Sequence, residues 1–181
     1  MKDQPEINSS NDSNNHNPLK FLDTMDDYKH IVLFYEEPES GSMIQFRFIK
    51  NGLLKGQHCI YNTHEEDISL IENEMTKSGI DVEGYTKKNL LHIRKIPDPR
   101  NYQEGSVIGY DNIVKGILAD LKQPSSFRMV SRAIPEVKNE EQISAELDVE
   151  RSYHSTFGSF GGSLLCAIQV KKLNQGNREN G

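Results

Sequence analysis

Short runs that are apolar nearly throughout alternate along this chain with stretches whose apolar residues recur at helical spacing. The first kind comprises residues 31–35 (IVLFY), 58–62 (HCIYN), 90–96 (LLHIRKI), 127–131 (FRMVS) and 164–170 (LLCAIQV). A strand covered on both faces has no polar face to display, so these runs predict strands of a parallel sheet. In the second kind, Ile68, Ile71 and Met75 fall at i, i+3 and i+7, and Ile113, Val114, Ile117, Leu118 and Leu121 make a fuller stripe. Two more helices are predicted over residues 42–55 and about 140–157, the latter opening on Asn139 as cap with Gln142 three residues on. The alternation predicts an α/β three-layer sandwich, a mainly parallel sheet with helices on both faces. Ligands of such sheets bind beyond the carboxyl ends of the strands.

Composition narrows the picture. With 181 residues, 35% of them hydrophobic, the chain can bury one core. One domain is expected over residues 20–173, between a polar arm (residues 1–19) and a polar tail (174–181) too poor in apolar side chains to order themselves. A net charge of −6 argues against holding nucleic acid by general electrostatics. No apolar stretch approaches the roughly 18 residues of a membrane span, and the N-terminus is unlike a signal peptide, so a cytoplasmic protein with no membrane or nucleic-acid partner is expected. Cys59 and Cys166 lie far apart inside apolar runs and read as buried structural thiols.

Candidate chemistry gathers at the predicted strand ends. The first strand runs out at Tyr35, Glu36 and Glu37, the second at Asn62, Thr63, His64, Glu65 and Glu66, and the fourth at Ser131, Arg132 and Glu136. Acids, a histidine and an arginine on one edge suit a polar ligand. The bland reading weighs against this. Thr63 to Glu66 fits a helix capping box, and capping is placed ahead of catalysis for Glu65 and Glu66. Arg132 has Glu136 and Glu37 within reach as ion-pair partners. His30, at the start of its strand, falls on the opposite edge and reads as a packing or hydrogen-bonding residue. His58, His64, His92 and His154 lack metal-like spacing, so no metal is expected. The glycine-rich run GSFGGS (158–163) follows a helix and precedes a strand, the reverse of a phosphate-cradling order, and reads as a connection.

These residues carry a resemblance. The stretch SGSMIQFRFIKNGLLKGQHCIYNTHEE resembles the first half of a KaiC/RecA-like P-loop ATPase domain. More closely, HIVLFYEE, NGLLKGQHCIY, SGIDVEGY, the LLHI strand and LLCAIQV together resemble the DcmR-type sensory (MEDS) domain over about residues 28–171. The resemblance implies a RecA-like fold without nucleotide chemistry, used as a sensory or ligand-binding module in signalling and transcriptional control. The family name suggests halogenated or hydrocarbon-like ligands. The departures from an ATPase agree: after Gly41 stand Ser42 and Met43, where a working P-loop has its lysine and its magnesium-binding hydroxyl. Glu36, Glu37 and Glu39 would also repel a triphosphate. The leading reading is a non-catalytic sensory domain on a degenerate P-loop, with no cofactor. Its ligand rim is Tyr35, Glu36, Glu37, Ser40, Gly41, Ser42, His64, Glu65 and Arg132, and it takes a small organic ligand, a signalling or transcription-regulatory protein partner, and self-association into a homo-oligomer. The alternatives are a divergent ATPase, with Glu65 as base and Lys50 or Lys55 supplying charge, and a ligand-free interaction scaffold.

Overall fold

The computed structural model describes residues 17–170, so residues 1–16 of the expected arm (1–19) and the whole expected tail (174–181) lie outside the described residues, while a helix already begins at Pro18 within the expected arm. Five strands form one sheet: β1 (His30–Tyr35), β2 (His58–Thr63), β3 (Leu91–Lys95), β4 (Phe127–Ser131) and β5 (Ser163–Gln169). They match the five apolar runs, and every pairing is parallel, in the order β1-β5-β4-β2-β3.

The helices are α1 (Pro18–Thr24), α2 (Pro38–Leu54), α3 (Ile68–Lys77), α4 (Val82–Lys87), α5 (Ser106–Asp120) and α6 (Glu140–Thr156). From β1 through α2 to β2, and on through α3 and α4 to β3, the chain advances in one direction across the sheet. It then returns through α5 to β4 and through α6 to β5. Right-handed crossovers place the helices of the two legs on opposite faces. The core divides accordingly. Leu22, Phe46, Ile49 and Met75 pack with Cys59 and Tyr61 on one face. Tyr110, Val114, Ile117 and Tyr153 pack with Ile60 and Met129 on the other. The architecture is the expected three-layer sandwich.

One strand departs from the expected burial on both faces. β1 is an edge strand, and Val32 and Phe34 on its α6 side are 41% and 58% exposed. The helix starts are also informative. Asn139 accepts from the Gln142 backbone N–H at 2.9 Å and opens α6 as expected. The anticipated box at Thr63 is not a helix cap, because β2 continues through Thr63 and the cap of α3 is Asp67, which accepts from Ser69 N. Thr63 Oγ1 instead accepts from the Glu65 N–H within the connection.

Candidate functional site

Reversal of chain direction opens a crevice where neighbouring strands send their connections to opposite faces. Here those neighbours are β2, which leads to α3, and β4, which leads to α6. At their carboxyl ends lies a cavity of about 350 Å³ lined by Tyr61, Asn62, His64, Glu65, Ser131 and Arg132, with Tyr35 and Ser42 on its β1–α2 side. A second compartment of about 340 Å³ shares His64, Glu65, Arg132 and Gln169 and extends under Pro135 and Val137.

Each wall has a local cause. Tyr61 and Asn62 are successive residues of β2, so their side chains leave opposite faces. The Tyr61 hydroxyl donates to Gln45 Oε1 of α2 at 2.9 Å, and burial raises its pKa, so it stays a neutral donor. Asn62 Nδ2 faces Ser131 Oγ across the β2–β4 boundary at 3.4 Å, while its Oδ1 is buried without a hydrogen-bond partner. Arg132 Nε is likewise buried without one. An acceptor and a donor, both desolvated and both on crevice residues, are costly to leave unmet by about 1–3 kcal/mol each.

His64 acts as a strap. Its Nδ1 lies 3.1 Å from Ile96 O and its Nε2 3.0 Å from Arg132 O, so the ring sits between the segments that leave β3 and β4, donating to one of them when neutral and to both only when protonated. Burial lowers its pKa, against the pull of those two carbonyls. With both nitrogens turned to the backbone, His64 shapes the lip and offers a ligand its ring edge. Behind the lip, the buried Glu146 carboxylate accepts from Ala133 N at 3.3 Å and Ile134 N at 2.7 Å, fixing the backbone that carries Arg132.

Five of the nine residues expected at the rim line the crevice: Tyr35, Ser42, His64, Glu65 and Arg132. Glu36, Glu37, Ser40 and Gly41 do not line it. The reason is the start of α2. Residues 36 and 37 alone link β1 to the helix, Glu37 is the N-cap position, and Pro38 occupies the first turn, where its fixed φ favours helix. Ser40 and Gly41 are therefore helical rather than part of a loop. Gly41 is buried beneath Tyr35, and a Cβ there would come within 2.5 Å of the ring, so the glycine serves close packing. Lys50 lines a different groove, and Lys55 faces Asp27 at 3.9 Å. Arg132 is the one lysine or arginine among the residues lining the crevice.

That other groove, of about 610 Å³, runs between α1, α2 and α3 and is lined by Leu19, Met43, Phe46, Lys50 and Lys77 among others. It is larger, but it lies on the outer surface of the helical layer and has none of the buried unpartnered atoms of the crevice. The crevice is the better candidate. Sequence reasoning placed Asn62 and Ser131 at the strand ends but left them out of the rim, and missed Gln45, whose signal was its polarity on a buried helix face.

The model of one family, described as MEDS, the methanogen/methylotroph DcmR sensory domain, matches residues 29–179. The chain belongs to the MEDS family. Among curated proteins, no sequence matched it. The match covers every strand of this MEDS domain and all of the crevice described above, and leaves α1 as an N-terminal addition packed on α2. No helix among the described residues is long and apolar enough to cross a membrane.

Two histidine contacts also went unread in the sequence. His58 and His92 stack with ring centroids 5.7 Å apart, brought together by the β2–β3 pairing. Cys59 is the inert thiol expected, pushed up to about 12 by burial. Cys166 is buried too, but beside His30 rather than among apolar groups alone.

Proposed function

We propose that this MEDS chain is a non-catalytic cytoplasmic sensor that binds a small organic molecule in the β2–β4 crevice. The observation that carries the reading is that Asn62 and Arg132, which line one cavity of small-molecule size, each hold a buried polar atom without a hydrogen-bond partner, an acceptor Oδ1 and a donor Nε. A short compound with a hydroxyl, which both donates and accepts, and a small apolar body suits both atoms, whereas a carboxylate answers only the Arg132 donor. Tyr35 and Ile71 supply apolar wall. Binding would tighten the Arg132–Val137 segment against α6 and so favour one state of the domain, which a signalling or transcription-regulatory partner, or a second copy of the chain, then reads.

Nucleotide hydrolysis is the weaker reading on chemical grounds. Triphosphate binding asks for several convergent cations or backbone amides, and this crevice is lined by one arginine and by the acids Glu65 and Glu74, beside a helix start that carries Glu37 and Glu39. Thermal-shift measurement against short alcohols, carboxylates and haloalkanes, beside magnesium-ATP, tests the assignment. The expected result is stabilisation by a member of the organic panel, abolished in Arg132→Leu, with no shift from magnesium-ATP. Stabilisation by magnesium-ATP that Glu65→Gln preserves or strengthens would replace the sensor with a nucleotide-binding protein.

A further inference from the structure

On the α6 side of the sheet, away from the crevice, three metal-ligating side chains from three distant parts of the chain meet. His30 begins β1, Cys166 lies in β5 and Glu150 lies on the inward face of α6. His30 Nε2 is 2.9 Å from Glu150 Oε2 and 3.6 Å from Cys166 Sγ, and the three donor atoms all lie within 4.8 Å of one another. The side chains of His30 and Glu150 are only 6% and 8% exposed, and Cys166 is 3% exposed.

We propose that His30, Glu150 and Cys166 form a binding site for a divalent cation of zinc-like softness. The donor set is the argument. Zinc takes imidazole nitrogen, thiolate sulfur and carboxylate oxygen at about 2.0–2.3 Å, which places tetrahedral donors about 3.3–3.8 Å apart. The His30–Cys166 separation already falls in that range, and the His30–Glu150 pair needs to open by only a few tenths of an ångström. Hard cations prefer all-oxygen shells and would not recruit the sulfur. The charges also balance. One carboxylate and one thiolate neutralise a dication, which is far better suited to a buried site than two anions alone. Binding releases the Cys166 thiol proton to solvent.

The surroundings hold the ring for this role. His30 stacks on Phe157 with centroids 5.2 Å apart, which fixes its plane. His154 stands one helical turn beyond Glu150, exposed and with its ring centroid 6.2 Å from that of His30, outside the three-donor cluster, so the fourth position is left to water. Sequence spacing could not reveal the set, because its members are 120 and 136 residues from His30.

The test is cobalt(II) titration of tag-free, chelator-stripped protein held reduced with a non-thiol reductant. The site predicts one equivalent bound, with thiolate-to-cobalt charge-transfer absorption in the near ultraviolet and displacement by zinc. That absorption should vanish in Cys166→Ser and persist in Cys59→Ser, and Glu150→Gln should weaken binding by more than about tenfold, the scale set by losing even an outer-shell partner. A mass-spectrometric measurement needs no variant: in mild urea, zinc should protect Cys166 from alkylation while Cys59 in the same molecule labels at an unchanged rate. Absence of the charge-transfer band at excess cobalt, its survival in Cys166→Ser, or equal labelling of Cys166 with and without zinc would each overturn the site and leave a buried His–Glu pair beside a thiol.

Discussion

Arg128 occupies the middle of β4 with no solvent exposure, a cation where an aliphatic residue would be expected. It survives because most of it is met, although Nη2 is buried with no hydrogen-bond partner and has only the charge of Asp27 nearby. Nε donates to Gln57 Oε1 at 2.8 Å, Nη1 donates to Phe48 O at 3.2 Å, and the guanidinium lies over the Phe48 ring at 5.1 Å, with Asp27 Oδ1 3.6 Å away. Gly52 makes room, since a Cβ there would approach the Arg128 Cδ to 2.7 Å. Removing one partner of a buried charged network costs about 3–5 kcal/mol, so Arg128→Ala should lower the urea midpoint by that equivalent while leaving the slope unchanged. Glu146 offers a pH test at the same scale. Burial raises its pKa to about 7 from 4.5, against two backbone donors and Arg132 and with Glu150 adding to the rise. Between those values the folded protein keeps a proton that the unfolded chain has released, so this group's contribution to stability falls as pH climbs through that window. Metal-free wild type should therefore lose about 2 kcal/mol more than Glu146→Gln between pH 5 and pH 8 in denaturant unfolding. Equal losses in the two proteins would show that the carboxyl titrates normally.

At the scale of elements, α6 carries the segment that forms the crevice lip, and its start was legible because a cap is a local signal. Asn139 and Gln142 sit within one turn, and Gln142 Oε1 returns a bond by accepting from Lys138 N. Asn139→Ala should cost about 1 kcal/mol of stability, read by thermal or chemical unfolding, with the sheet unaffected. A loss below a few tenths would mean that packing of Val149 and Tyr153 alone holds the helix. The three interior strands β2, β4 and β5 were legible for a related reason, as buried parallel strands are largely apolar runs whatever their neighbours, and the edge strands β1 and β3 kept enough apolar residues to be read with them. The errors arose where two local signals competed. Thr63 and Asp67 are both good caps, and only the length of β2 decides between them. Gly41 in SGS reads as a loop until Pro38 is recognised as the first turn of a helix and Tyr35 as the ring that needs the space. α1 and α4, at seven and six residues, are too short to show a helical stripe and owe their order to packing.

At the scale of the whole molecule, strand order makes the site. β1 is paired only with β5, and the chain must pass over the places later filled by β5 and β4 to reach β2, so the β2–β4 boundary becomes the point where connections diverge. Of the five predicted rim residues lining it, Tyr35, His64, Glu65 and Arg132 come from the ends of strands, and Ser42 comes from the first turns of α2. Asn62 and Ser131 were read at strand ends but left out of the rim, because polarity alone does not reveal which strands are neighbours. The two candidate cavities make the central claim decidable. Backbone-amide NMR of the full chain, titrated in turn with short alcohols, carboxylates, haloalkanes and magnesium-ATP, tests it most directly. The account predicts that an organic compound moves the amide signals of Asn62, His64, Ser131, Arg132 and Gln169, and that magnesium-ATP moves none of them. Movement confined to Met43, Phe46, Lys50 and Lys77 would place the ligand in the outer groove, and movement of Glu36 through Ser42 by magnesium-ATP would restore nucleotide binding; either result contradicts the crevice sensor.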